Sequence, residues 1–425
     1  MDQETRFIET ELAIVGTGMA GIAASAFAVN RGISSTLTGN TGALAYTTGY
    51  LDLLGFHNGY FITNPWEGIT DLAATTPGHP LARLQPDRVR AAFTEFTSFL
   101  SDIGIGYTSP GPNNLQAFTP AGTTKPTLCV PTTMAKGVEA LRSKPSCTIF
   151  DVHGLKGFSA RQITSNLRQN WTSLTPETIT FPGHDRGELY AEVAARSLEV
   201  AENRKLLAQI LKSEAGRSTS VGLPALLGMH SPDTVLEDLE TLTDLDIFEI
   251  PTMPPSVPGF RLREIIEQTL PARGMHLIPQ QRVQNISFAQ DGVWLQLADN
   301  FGPIAIKAQS ILLATGRFLS GGLEARFDHI TEPLLGLPVH QPDSRRDWYQ
   351  LEYLDSRGHA VHRAGINTDS QLRPLQSDGT ILDERLFSAG IVLAHQDWIR
   401  QRCGAGVAIA TAYEAVEAAC RLLRR

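Results

Sequence analysis

The chain has 425 residues, 42% of them hydrophobic and 19% charged, which allows two or three globular domains with sizeable cores. Acidic residues outnumber basic ones by 44 to 36, and the net charge of -8 argues against nucleic acid as a main partner. No apolar run reaches the ~18 residues of a membrane span, and the polar N-terminus lacks a signal-peptide pattern. Cys129, Cys147, Cys403 and Cys420 match no zinc or iron–sulfur spacing, so a cytoplasmic chain with reduced thiols is expected.

The first 40 residues predict a βαβ unit. Leu12-Ala13-Ile14-Val15 reads as a strand, Gly16-Thr17-Gly18-Met19-Ala20-Gly21 as a glycine turn, and Ile22 to Val29 as an alanine-rich helix. Strand, G-x-G-x-x-G turn and helix in this order form the dinucleotide fingerprint. Gly16 permits the tight turn, Gly18 lets backbone approach a pyrophosphate, and Gly21 lets helix pack on strand. The N–H groups of the first helical turn then face a phosphate. The acid that usually ends the second strand, about 20 residues on, is missing. That strand, Ser34 to Thr38, is followed by Gly39, and no Asp or Glu occurs between Glu11 and Asp52.

Thr41 to Gly55 reads as a loop in which Thr47, Thr48 and Gly49 are candidates to hydrogen-bond a cofactor. A helix is expected over Pro86 to Ser101, with Val89, Ala92, Phe93, Phe96 and Leu100 on one stripe. Gly106 to Pro131 reads as irregular. A second βα unit follows, with a strand over Thr148 to Val152 and a helix from Ala160 to Trp171. One helix is expected over Leu189 to Lys212, a strand from Ser220, and a proline-broken loop over Pro251 to Pro258 ahead of a helix from Phe260 to Leu270. Two strands, Arg282 to Ala289 and Val293 to Ala298, lead to the apolar strand that ends Ala314-Thr315-Gly316. The chain closes with a strand ending at Gly390, the turn Cys403-Gly404-Ala405-Gly406, and a helix from Val407 to Leu423.

The N-terminal unit, the Ala314-Thr315-Gly316 turn and the late glycine turn follow the order of a flavoprotein whose dinucleotide domain is split by an insertion. The fold class expected is therefore α/β, a Rossmann-like flavin-binding domain over 1–60 and 300–425, interrupted by an α+β substrate or partner domain over 61–299. Cofactor contacts are expected from Gly16, Gly18, Met19, Ala20, Gly21, Thr315, Gly316, Gly390, Gly404, Ala405 and Gly406. The dipole of the last helix would stabilise negative charge on a reduced flavin ring.

More specific blocks are Tyr50-Leu51-Asp52-Leu53-Leu54, His79-Pro80, Pro251 to Gly259 with its Pro-Pro-Ser core, and Ser320-Gly321-Gly322-Leu323. Glu332 to Leu337, Gly365-Ile366-Asn367-Thr368-Asp369 and Leu372-Arg373-Pro374 continue the set. On these the chain resembles the B-type flavoprotein subunit of the anaerobic glycerol-3-phosphate dehydrogenases over most of its length. Ala405 and Ala394-His395-Gln396-Asp397 depart from that family's pattern. The resemblance implies a flavin, usually FMN, whereas the fold normally binds FAD. It implies oxidation of sn-glycerol 3-phosphate to dihydroxyacetone phosphate. It also implies two partners, an FAD-containing A-type subunit and an iron–sulfur C-type one at the inner membrane.

Oxidising a secondary alcohol needs a base, for which His395 is the candidate and His362 a rival. A phosphate-bearing substrate calls for arginine forks, for which Arg373 and Arg317 are candidates. A flavin protein that only relays electrons, and a stand-alone flavin oxidoreductase for another small anion, are the alternatives.

Overall fold

The computed structural model describes residues 5–40, 42–355 and 357–424. The chain forms two compact units, the first from Met1–Ala43, Asp52–Phe96 and Glu267–Arg425, the second from Leu44–Leu51 and Thr97–Ile266. Segments 61–96 and 267–299, expected in the insertion, thus belong to the first unit, and 44–51 to the second. The reason lies in strand pairing and packing. Gly292–Asp299 pairs along Gly302–Leu313, and Phe96 packs 6.2 Å from Phe27, so both segments complete the first unit's layers.

The first unit is built on a seven-stranded sheet. Its order is His276–Pro279, Ser35–Gly39, Arg6–Val15, Gly302–Leu313, Gly292–Asp299, Asn285–Ala289, with Leu386–Ser388 also paired to Gly302–Leu313. Leu12, Ala13, Ile14 and Val15 are buried, as a continuous apolar run requires of a central parallel strand. Val15 pairs with Thr38 and Leu313, and Leu313 with Ser388, so four parallel strands end level at one carboxyl edge.

The helix Met19–Asn30 is buried from Ala20 to Phe27 and on to Ala28, its small side chains allowing close approach to its neighbours. It packs on the terminal helix Gly404–Leu422, where Phe27 meets Tyr413 edge-on at 5.1 Å. Arg31 closes that contact by bonding Glu95 and Glu417, each at 2.7 Å.

The second unit has a four-stranded parallel sheet in the order Asp246–Ile250, Ser220–Pro224, Cys147–Val152, Leu174–Ile179. Phe150, Val221, Leu223 and Ile247 form its core with Leu207, Leu211 and Leu239 from helices Ala201–Glu214 and Pro232–Thr243. Two features differ from expectation. The region 106–131 contains a hairpin, Leu115–Phe118 with Thr124–Thr127. The helix expected over Leu189 to Lys212 is broken into Ala191–Ser197 and Ala201–Glu214. At the break, the Glu199 carboxylate accepts the N–H groups of Met229, His230 and Ser231 at 2.6, 2.7 and 3.2 Å, anchoring the turn after Gly228.

Candidate functional site

The glycine turn lies at the level carboxyl edge of the first unit's sheet. Gly16 N–H donates to Thr38 O at 2.7 Å and Ala314 N–H to Val15 O at 2.8 Å, which ties three strand ends together. Gly16 has φ +124°, and a Cβ there would lie 2.2 Å from Ala314 O. A Cβ on Gly21 would lie 1.7 Å from Gly16 O, so only glycine lets helix and strand come this close. Gly18 differs: its Cβ position faces open space, with nothing within 4 Å. It caps Met19–Asn30 with no side-chain cap and no acid in the first turn. The first N–H groups of that helix, those of Met19, Ala20 and Gly21, have no partner within the helix and suit an anion.

The same edge carries buried polar atoms without partners. The hydroxyls of Thr38, Thr315 and Ser388, and of Thr36 two residues before Thr38, are enclosed yet hydrogen-bond to nothing among the described residues. Thr38 is one residue from the end of its strand, Ser388 ends its own, and Thr315 follows Gly302–Leu313 by two residues. Orphaned buried hydroxyls are uncommon and call for a ligand or water. The carboxyl ends of parallel strands are where α/β sheets bind ligands. An open glycine cradle, an uncapped helix start and these hydroxyls together fit a flavin nucleotide. The end of Ser35–Gly39 has no acid for an adenosine ribose, and a Cβ at Gly39 would lie 3.0 Å from Gly16 Cα and Thr17 N.

The remaining glycines have distinct tasks. Gly316 (φ +69°) is pressed against the Ser320 hydroxyl, which donates to Thr315 O at 2.7 Å. Gly390 (φ +84°) lies against Ala20 and donates its N–H to Thr411 Oγ1 at 2.8 Å. Gly404 and Ala405 open the terminal helix, which has no side-chain cap. Ala405 is outside the positive-φ set, so alanine fits without strain. Gly406 is used differently from the expectation. Its N–H donates to Asp52 O at 2.7 Å, and its missing side chain admits Leu53 O, so this amide holds the 52–53 segment.

Thr47, Thr48 and Gly49 belong to the second unit. Their hydroxyls make local turns, Thr47 accepting from Gly49 N at 3.2 Å and Thr48 from Tyr50 N at 3.4 Å. Gly49 (φ +86°) faces Pro258, and its carbonyl accepts the Tyr107 hydroxyl at 2.7 Å.

The arginines singled out from the sequence have protein partners. Arg317 is buried and donates to the carbonyls of Ile391, His362, Leu393 and Gln396. Burial lowers its pKa to about 10. Four carbonyls around one guanidinium make Arg317 the post on which the 391–396 loop is wound, and leave it no fork for a phosphate. Arg373 turns on Asp369, with Nε at 2.8 Å and Nη2 at 2.6 Å. His362 lies 3.5 Å from Asp397.

His395 is half-buried at φ +67°, its Nε2 2.8 Å from Asn367 Oδ1 and its ring 4.1 Å from that of His340. Burial first, then His340 and Arg83, lowers its pKa from the usual histidine value, so the imidazole is neutral at pH 7. It lines a cleft of about 370 Å³ within the first unit, with Arg83, Asn367 and Thr368. Arg83 and His340 stand in none of the specific sequence blocks, and Asn367 stands in the Gly365 to Asp369 block without an assigned role. They come from segments far apart, and only the pairing of Val339–His340 with Gly365–Ile366 brings two of them together.

The chain is 28% identical to the B-type subunit of anaerobic glycerol-3-phosphate dehydrogenase from Aliivibrio fischeri strain ATCC 700601 / ES114, over 95% of this chain and 94% of that one. It is 27% identical to the protein of the same name in Yersinia pestis, over 95% and 96%. Among solved structures it is similar to 3-ketosteroid delta1-dehydrogenase from Sterolibacterium denitrificans, with TM-score 0.44, 11% identity, and coverage of 97% of this chain and 100% of that one. The family described as FAD binding domain matches residues 11–407, which takes in the glycine turn, the level strand ends and the start of the terminal helix, and the chain belongs to that family.

Proposed function

We propose that the chain is one component of a respiratory dehydrogenase that oxidises sn-glycerol 3-phosphate to dihydroxyacetone phosphate. In this reading its electrons pass through FAD-containing and iron–sulfur partners and on to quinone. The observation that carries the flavin part is the open Gly18 cradle beside the orphaned hydroxyls of Thr38, Thr315 and Ser388. The substrate and membership of a multi-subunit enzyme are supported by the name borne by relatives that match nearly end to end. No helix among the described residues is long and apolar enough to cross a membrane, so attachment in this reading runs through a partner.

The oxidation breaks the C2–H and O–H bonds and forms C2=O. Bound flavin supplies the acceptor for the hydride. The hydroxyl proton needs a neutral base, and His395 is the proposed one. Burial keeps its imidazole unprotonated, and the contact with Asn367 Oδ1 orients the ring.

The test is anaerobic mixing of the purified chain with sn-glycerol 3-phosphate, followed by its visible absorbance. Bleaching of the flavin in the isolated chain is the expected result. Bleaching only when the FAD-containing partner is added makes this chain an electron relay. A colourless protein that takes up neither FMN nor FAD overturns both.

A further inference from the structure

The 370 Å³ cleft has a charge arrangement that the glycine turn does not explain. The chain leaving the carboxyl edge builds one wall. Leu393 N–H donates to Gly390 O at 3.2 Å, Ile366 N–H to Val392 O at 2.9 Å, and Ala394 N–H to Ile366 O at 3.0 Å. The cleft therefore opens one turn beyond the end of the Leu386–Ser388 strand, with Asn367, Thr368 and His395 on that wall and Arg83 on the other.

Arg83 is held by one nitrogen. Its Nη1 donates to Thr368 O at 2.7 Å and to Thr368 Oγ1 at 3.2 Å. Its Nε and Nη2 meet no acceptor among the described residues. The nearest acid with an electrostatic pull on it is Asp369. That carboxylate is already taken by Arg373, at 2.8 and 2.6 Å, and by the amides of Gln371 and Arg373 at 2.9 Å each. Asp378, between the cleft residues Ser377 and Gly379, turns back onto Thr380, accepting from its hydroxyl at 2.6 Å and its amide at 2.9 Å. Arg373 and Asp369 thus cancel, and of the residues that line the cleft Arg83 carries the charge, with the Asp378 carboxylate held off the lining by Thr380. An exposed arginine with two adjacent donors free of protein acceptors, beside neutral amide and imidazole groups, is placed to receive a small oxyanion.

We propose that this cleft is the anion-binding subsite, in which the Arg83 fork takes the phosphomonoester group of a small substrate while Asn367 and His395 face its polar remainder. The proposal rests on reading the chain as a dehydrogenase of a phosphorylated alcohol. It also assigns Arg373 a positioning role, since without it Asp369 would be released to compete for Arg83.

The experiment is calorimetric titration of the intact flavin-loaded chain with sn-glycerol 3-phosphate, inorganic phosphate and glycerol. Wild type is expected to bind sn-glycerol 3-phosphate, with inorganic phosphate competing and glycerol failing to bind. Arg83→Ala should weaken sn-glycerol 3-phosphate binding by about ten- to a hundredfold, the range expected for a charge-assisted hydrogen-bond pair. Arg83→Lys should recover part of it, and flavin content should not change. Ser377→Asp, at an exposed residue of the cleft lining, should weaken binding in the same direction by adding a negative charge. Unchanged affinity in Arg83→Ala and Ser377→Asp, or no phosphate binding by wild type, overturns the subsite. Arg83-dependent binding without flavin bleaching, even with the partner proteins present, would leave the subsite standing and overturn the dehydrogenase reading. Bleaching with unaltered affinity in the variants would do the reverse.

Discussion

Gly18 and Gly21 stand three residues apart in one turn, yet their replacement by alanine should have opposite consequences. A methyl at Gly18 meets nothing within 4 Å, and its φ of -81° is ordinary for any residue. Gly18→Ala should fold with a stability change below about 1 kcal/mol, as expected at a helix N-cap. That methyl would project into the space from which a phosphate reaches the helix N–H groups, so flavin affinity should fall by about tenfold or more. Gly21→Ala places a methyl 1.7 Å from Gly16 O, a clash that only backbone movement relieves. It should lose about 3 kcal/mol or more of stability. Chemical denaturation beside fluorescence titration with flavin separates the two. Equal loss of stability in both variants would mean that Gly18 serves packing rather than a ligand.

At the scale of elements, short pieces of structure carry buried groups whose titration reports on the fold. His79 caps the 3-10 turn Pro80–Arg83, its Nδ1 accepting Leu81 N–H at 3.1 Å while Nε2 lies 3.2 Å from Gln401. Burial is the main cause that lowers its pKa to about 3, with His57 and His395 adding to it. The unfolded chain binds a proton at this site near pH 6.5, whereas the folded chain does so only near pH 3. Stability therefore falls as pH drops from about 6.5 toward 3 and levels off below, by up to about 1.4 kcal/mol per pH unit from this group. His79→Asn keeps a side-chain oxygen for the cap and removes the titration. Its urea midpoints between about pH 6 and pH 4 should decline less steeply than those of wild type. Parallel slopes would show that the acid sensitivity arises elsewhere. The elements themselves were legible where pattern and burial coincide, as in the helix Pro86–Asp102 and the run Leu12 to Val15. The hairpin within 106–131 was hidden because Gly, Pro and Asn dominate its flanks. The break at Leu198 to Val200 was hidden because Glu199 leaves the helix for amides some thirty residues away, a contact no local pattern records. The cleft was hidden for the same reason. His395 stood out alone, while its companions Arg83, His340 and Asn367 come together only through tertiary pairing.

For the whole molecule, the choice of flavin turns on the segment after the second strand. In a dinucleotide fold, an acid at that strand's end holds the ribose of the adenosine half. Here the strand ends in Gly39, and the chain then folds back onto the glycine turn. Thr17 Oγ1 donates to Asn40 O, and a Cβ at Gly42 would lie 2.6 Å from Thr17 O and 2.7 Å from Gly18 N. The segment that should flank a ribose instead lies against Thr17 and Gly18, while Thr36 and Thr38 offer hydroxyls without charge. A single phosphate at the Gly18 turn would meet the donors this edge presents, whereas an adenosine half passing that turn would meet Asn40 and Gly42 where they lie against Thr17 and Gly18. The chain should therefore release FMN rather than FAD on denaturation, identified by the mass of the released chromophore. FMN should also bind the flavin-free chain at least about tenfold more tightly than FAD does. Release of FAD would mean that Asn40 and Gly42 move aside on binding, and that the adenosine half is held through backbone groups rather than by an acid.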